Sequence, residues 1–427
     1  MSIDFSTLQG LSIPEGVVTQ IADAAGVILW SAVSDKVILE VEKITSDTYA
    51  GETTYTGEQF ILLDIYPKTN GTVNVTYGGL TKTITDTSGA AEPNAQQVFF
   101  GTFNGVSDSV TTPASGELTI EGDYRGFACG IFETGKIASN GYTGIKSIGD
   151  LGLVEFIPSA AFGVFTKGCE DITTVKIPSS VKSIGDTSFA FCTGLTNVII
   201  PSSVATIGQS PFYSCNINNP VKISNNPLYK IEGNCLVEKD TNTLISGFLD
   251  SNIPSGVCYI GRSAFNRYFD LMNITIPSSV IEIRSDAFGY CTSLESVTMS
   301  SGVTTIESLA FYECTNLREL TLSEDLTVIG DSAFAYCESL ESVVIPSSVT
   351  TIENGAFEHC TNLTSVTMLS PTPPEIPASS VFAYDMDSNS LPLFKVHITV
   401  PKGSLEAYKA EQAWNNFVDM GLLTEAS

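Results

Sequence analysis

The chain has 427 residues, too many for one core of ordinary size, so two or three structural units are expected. Acidic residues outnumber basic ones 47 to 20, and a net charge of -27 argues against nucleic acid and anionic membrane surfaces as partners. Two histidines, His359 and His397, leave little room for imidazole chemistry, and no apolar run is long enough to insert into a membrane.

Residues 1–35 form a leading segment. Its start, Met1-Ser2-Ile3-Asp4-Phe5-Ser6, lacks the basic-then-apolar order of a signal peptide, so none is expected. Residues 36–123 read as an antiparallel β domain, with strand patterns at 37–41, 60–66, 72–77, 97–103 and 117–121. Asn70-Gly71, Gly78-Gly79, Asn104-Gly105 and Pro113-Ala114-Ser115-Gly116 supply the turns between them. Short strands at this spacing predict an immunoglobulin-like β-sandwich. The Cys…Trp…Cys pattern of a true immunoglobulin domain is absent, so the expectation concerns architecture only.

From about 124 to 370 the chain repeats itself. Cys169, Cys192 and Cys215 are 23 residues apart, as are Cys291, Cys314, Cys337 and Cys360. A fixed period in the twenties predicts a solenoid, one coil per repeat. In one copy the apolar positions are Phe288, Cys291, Leu294, Val297, Met299, Val303 and Ile306. The L-x-x-V-x-I piece places alternate residues inward and predicts a strand. Proline ends it, having no N–H to offer the next coil. The V-x-x-I piece then forms the opposite wall. Phe189, Phe212, Phe265, Phe288, Phe311, Phe334 and Phe357 fill the gap between the walls as one stacked spine. The repeated cysteines form a column of buried free thiols, although stacked coils about 5 Å apart would also admit a disulfide.

Tyr268 holds the cysteine's place 53 residues after Cys215, one period plus 30. The excess, near 216–253, reads as one coil carrying a protruding β-hairpin, with Gly233-Asn234 and Asp240-Thr241-Asn242 as turns. A C-terminal cap is expected over 371–427. It starts at Ser370-Pro371-Thr372-Pro373-Pro374 and adds one strand at 395–400. A short helix from Ser404, a plausible N-cap, follows, and Trp414 and Phe417 cover the open end.

The phrase A-F-x-x-C-x-x-L-x-x-V-x-I-P-S-S-V-x-x-I resembles the leucine-rich repeats of BspA-like bacterial surface proteins. The insert ending Ile260-Gly261-Arg262-Ser263-Ala264-Phe265 looks like that family's usual interruption. The tail from Pro373-Pro374 through Val400-Pro401-Lys402-Gly403-Ser404 and Trp414-Asn415-Asn416-Phe417 looks like its usual cap. The resemblance covers about 140–420 and implies extracellular binding or adhesion without catalysis. Residues 8–30, from Leu8-Gln9-Gly10-Leu11-Ser12-Ile13-Pro14 to Gly26-Val27-Ile28-Leu29-Trp30, resemble the openings of tail and minor structural proteins from phages of gut bacteria. That implies a virion location with release by lysis. Unlike secreted BspA-like proteins, the sequence shows no wall-anchoring motif after Phe417.

Chemistry-bearing motifs are scarce. Asp385 and Asp387 sit in a calcium-loop-like run without the needed Gly or closing Glu, and the cysteines form no CxxC pairs, so no metal site and no cofactor is expected. G-x-S-x-G, P-loop and H-E-x-x-H are absent. Ser179-Ser180, Ser202-Ser203, Ser278-Ser279 and Ser347-Ser348 mark turns, and His359 fills a slot held by Tyr290 and Tyr336 in other repeats. What remains is the outward face of the strands: Asn273 and Thr275, Ser296 and Thr298, Glu319 and Thr321, Ser342 and Val344, Ser365 and Thr367. These residues are the candidate binding strip, set against strand propensity alone as the reason for a β-branched column. The expected function is therefore non-enzymatic recognition of a bacterial surface glycan or protein by a phage tail component, with homo-oligomerisation open. A bacterial surface adhesin binding a host protein is the alternative. A glycan-degrading enzyme is the other, and would need paired carboxylates in a cleft, which the repeats do not offer at a fixed position.

Overall fold

The computed structural model gives strand pairings from residue 20 onward. With side chains it describes 72–77, 80–86, 88, 154–162, 172–215, 217, most of 221–248, 251–377, 381–383 and 395–427. In the N-terminal part the backbone forms two five-stranded antiparallel sheets, beside the two-stranded pairs Gln20–Ala22 with Ile28–Ser31 and Phe132–Glu133 with Lys136–Ile137. One runs Gly144–Leu151, Lys36–Glu42, Ser115–Gly122, Thr72–Tyr77, Leu80–Thr85. The other runs Tyr124–Ala128, Gln59–Pro67, Gln96–Phe103, Val106–Ser107, with Ile44–Thr45 paired to Gln59–Pro67. The face-to-face packing expected of an immunoglobulin-like sandwich lies outside the described residues. Strand Gly144–Leu151, at positions read from the sequence as solenoid, instead pairs with Lys36–Glu42 in the N-terminal sheet.

Beyond residue 154 the described regular coils follow one code. Leu294, Val297 and Met299 point inward and are buried, whereas Thr298 between them is exposed. Each Pro-Ser-Ser-Val step is a tight turn, as where Val349 N donates to Pro346 O at 3.2 Å. Val303 and Ile306 then bury the opposite wall. Both walls are parallel ladders in register, for example Ile283↔Ile306↔Ile329↔Ile352. The phenylalanines close the third side. Phe288 and Phe311 stack at 5.0 Å, and Phe311 and Phe334 at 5.1 Å, with ring planes within 5°.

The cysteine column is a set of free, buried thiols among the described residues. Each Sγ donates to the carbonyl of a phenylalanine in the preceding coil: Cys291 to Phe265 at 3.1 Å, Cys314 to Phe288 at 3.2 Å, Cys337 to Phe311 at 3.4 Å. Burial pushes Cys291 and Cys360 up to about 12, which keeps these thiols protonated and unreactive. Tyr268, in the cysteine's place, donates its hydroxyl to the Gly247 carbonyl instead.

The spine is longer than the sequence suggests, and it is broken. Phe162 precedes it at 5.2 Å from Phe189, and Phe382 extends it 5.5 Å beyond Phe357. Phe212 does not stack on Phe265; it meets Phe248 edge-on at 6.0 Å. Gly247 takes the place of a stacked ring, and a Cβ there would lie 1.9 Å from the Phe265 ring. The insert does not protrude. Tyr229–Glu232 and Cys235–Glu238 turn on Gly233 and Asn234, both at positive φ, and Thr243–Gly247 joins the back wall parallel to Tyr259–Ile260. Leu236 and Phe248 bury into the core of the preceding coils, and Cys235, Val237 and Leu244 into that of the following ones. The alternation in 229–248 has apolar residues on both faces because the hairpin is a joint between two cores, not an appendage.

At the far end the coil pattern continues past residue 370. Glu375 bridges to Thr351, Phe382 enters the spine, and His397–Val400 pairs parallel with Ser365–Met368. Helix Leu405–Ala410, the 3-10 turn Gln412–Trp414 and helix Asn415–Asp419 then fold Tyr408, Trp414 and Phe417 into the core. Ser404 precedes the first helix but makes no side-chain cap bond. Glu425 Oε1 accepts from Gly403 N at 2.5 Å, so an acidic side chain from the last strand serves the helix start.

Candidate functional site

The inward half of each front strand is fixed by burial, and the outward half is free to vary. Pairing aligns the outward residues in columns: Asn273↔Ser296↔Glu319 and Thr275↔Thr298↔Thr321, then Ser342↔Ser365 and Val344↔Thr367. Asn273, Thr275, Thr298, Glu319, Thr321, Ser342 and Val344 are exposed; Ser296, Ser365 and Thr367 are half-buried. Val344 is 50% exposed, unusual for a branched apolar side chain.

The strip is not one uninterrupted ladder. Strand Glu319–Thr321 ends one sheet and Ser342–Ile345 begins the next, without paired register between them. Leu320, where Val297 and Val343 are buried, is only partly buried. The strip also reaches further than the candidate residues. His397 pairs with Ser365, and Thr399 with Thr367. The signal was present in the alternation Val396-x-Ile398-x-Val400, but the stretch 371–394 hides its register. Two exposed apolar side chains, Phe269 at 49% and Met272 at 52%, border Asn273 on the coil after the insert.

Two carboxylates do meet between coils, on the back wall. Glu307 Oε2 accepts from Ser285 N and Oγ, both at 2.7 Å; burial alone would raise it, but these bonds hold it below its usual range. Glu282 is raised, by burial and by Glu307, with Arg284 Nε 3.4 Å from its Oε2. This pair ties successive coils together and lies on neither the outward strip nor the cavity treated below. Among the described residues no group of His, Cys, Asp or Glu could hold a metal ion.

A family model for the BspA type leucine rich repeat region matches residues 155–246 and 243–364, with 6 copies. A leucine rich cell surface protein from Faecalibacterium prausnitzii A2-165 is similar in structure at 25% identity and a TM-score of 0.40, over 60% of this chain and 72% of that one. The pneumococcal vaccine antigen PcpA is similar at 17% identity and a TM-score of 0.41, over 59% and 67% of the two chains. A leucine rich repeat protein of T. pallidum is similar at 28% identity and a TM-score of 0.28, over 34% and 70%. No curated protein matches the chain.

Proposed function

We propose, for a chain whose residues 155–364 belong to the BspA-type leucine-rich repeat family, that the array is a non-enzymatic recognition surface and that its outward front strip engages a bacterial surface glycan or protein. The observation that carries this reading is the pair of in-register columns, Asn273–Ser296–Glu319 and Thr275–Thr298–Thr321, exposed except at the half-buried Ser296, on strands whose other face turns to the core. A surface built on a ladder is rigid, and its residues are decoupled from the core, which suits binding. No described helix is long and apolar enough to cross a membrane.

Changing Thr321 to Trp and Val344 to Lys together is expected to abolish capture of ligand from bacterial envelopes while the melting temperature holds, because neither side chain contributes to the core. Capture that survives both changes would move the site off the strip.

The finer placement, on a phage tail, rests on residues 8–30, which lie outside the family match and, in most positions, outside the described residues. It predicts that peptides of this chain appear in mass spectra of purified virions. Their absence there, with presence on the bacterial surface, favours the adhesin that binds a host protein.

A further inference from the structure

The third wall carries an arrangement that folding does not require. Each coil there has a residue at positive φ: Phe191 at 58°, Arg267 at 59°, Tyr290 at 58°, Glu313 at 54°, Tyr336 at 61° and His359 at 55°. Rings occupy this position and the one before it on alternate coils. Where the positive-φ residue is Phe191, Tyr290 or Tyr336, its predecessor is the small Ala190, Gly289 or Ala335; where the predecessor is Tyr213 or Tyr312, the positive-φ residue is Ser214 or Glu313. The result is one partly exposed ring on each of these coils, while the coil between Tyr213 and Tyr290 carries Arg267 in the ring's place. Phe191 and Tyr213 meet at 5.1 Å, Tyr290 and Tyr312 at 5.4 Å, Tyr312 and Tyr336 at 5.3 Å, and His359 stacks on Tyr336 at 4.5 Å. The insert interrupts both strand walls and the phenylalanine spine, yet it does not interrupt this track. Arg267 bridges it: Nε donates to the Tyr213 hydroxyl at 2.9 Å, and the guanidinium lies 4.3 Å over the Tyr290 ring.

At that crossing lies a cavity of about 350 Å³. Phe191 and Tyr213 supply apolar faces; Asp186, Asp286 and Arg262 supply polar groups. Asp186 is fixed through Oδ1, which accepts from Gln209 N at 2.7 Å, and Asp286 through Oδ2, which accepts from Ser263 Oγ at 3.2 Å. Burial raises the Asp286 carboxyl, against the Ser263 hydroxyl and the charges of Arg262 and Arg267. An anionic ligand would face the carboxylates of Asp186 and Asp286, and a cationic one would face the guanidinium of Arg262. The lining instead matches a neutral ligand with one C–H-rich face for the rings and a rim of hydroxyls for carboxylate and guanidinium. The volume suits a small ligand or the end of a longer one.

We propose that this cavity holds a pyranose unit of a neutral glycan, and that the aromatic track carries the rest of the glycan along the third wall. The site rests on the reading of the array as a recognition surface, and is separate from the front strip. The test is saturation-transfer NMR on the full chain with glucose, galactose, N-acetylglucosamine, lactose, cellobiose, chitobiose and chitohexaose, beside Gln209→Trp at the rim and Arg262→Ala inside. Transfer to at least one of these sugars is expected. Both variants should weaken its binding by about tenfold or more with unchanged circular dichroism and melting temperature. If Gln209→Trp fails to fold, Arg262→Ala decides alone. Tyr312→Ala should weaken the hexasaccharide and leave the monosaccharide unaffected. Transfer to none of the sugars, or transfer that survives Arg262→Ala, overturns the proposal. So does transfer lost in the Thr321→Trp, Val344→Lys double variant, which should leave sugar binding intact even where envelope capture through the strip is gone.

Discussion

Replacing Phe311 with Ala is expected to cost about 3–5 kcal/mol. Its ring is fully buried and sandwiched between Phe288 at 5.0 Å and Phe334 at 5.1 Å. The vacated space cannot close, because backbone bonds set the coil spacing on the third wall and on the back wall. Phe288 N donates to Ala310 O at 2.7 Å, Phe311 N to Ala333 O at 2.7 Å, and the strand ladders repeat the same pitch. The rings above and below therefore face a void and lose their dispersion contacts. Coils of a solenoid contact only their neighbours, so the damage should be local. Hydrogen exchange should rise first in the amides of 288–334, and the unfolding midpoint in denaturant should fall. A variant as stable as the parent would mean that the ring does not carry the stack.

Replacing Trp414 with Ala is expected to cost a similar amount, about 3–5 kcal/mol, and to make the chain self-associate. Trp414 is fully buried, its Nε1 donates to Pro374 O at 3.3 Å, and it meets Tyr408 edge-to-face at 4.9 Å. Tyr408 in turn donates to Ser370 O at 3.0 Å. Phe417 turns its edge to Phe382 at 6.0 Å, with ring planes 72° apart, and so ends the parallel stacking of the spine. Loss of the indole leaves the Pro374 carbonyl unpaired and loosens the segment that covers the last coil. The core beneath it and the strand edges beside it then become sticky. Light scattering should show concentration-dependent association well below the melting temperature of the parent. A monodisperse variant with an unchanged melting temperature would assign the capping role elsewhere.

The repeat was legible because its period, 23 residues, fixes both which residues face inward and how coils stack. Cys314, Leu317 and Ile329 are fully buried, as their positions in the phrase require, and the exposure of Thr298 and Thr321 follows from the same alternation. The free thiols were legible too, since a small residue in a repeated inward slot needs no partner beyond the carbonyl above it. The strip residues were therefore nameable, but not the break between Glu319–Thr321 and Ser342–Ile345, nor the extension to His397 and Thr399. Periodicity says which way a side chain points; it does not say where a ladder stops.

What the sequence by itself determined is the coil: its walls, its turns at Pro-Ser-Ser, its phenylalanine corner and the first of its closing helices. What only the tertiary structure decided lies wherever the period fails. The insert became a joint because Leu236 and Phe248 found one core and Val237 and Leu244 another, a choice made by packing and not by local pattern. Gly247 ended the spine because the Phe265 ring lies against its backbone. Glu425, 21 residues downstream, replaced Ser404 at the helix start because the last strand brings its carboxylate there. The cavity between Asp186 and Asp286 joins residues 100 apart, across a discontinuity no repeat encodes. Local alternation and period are short-range properties of a chain; the contacts that close an insert, a cap or a cavity are long-range, and only the folded coil brings them together.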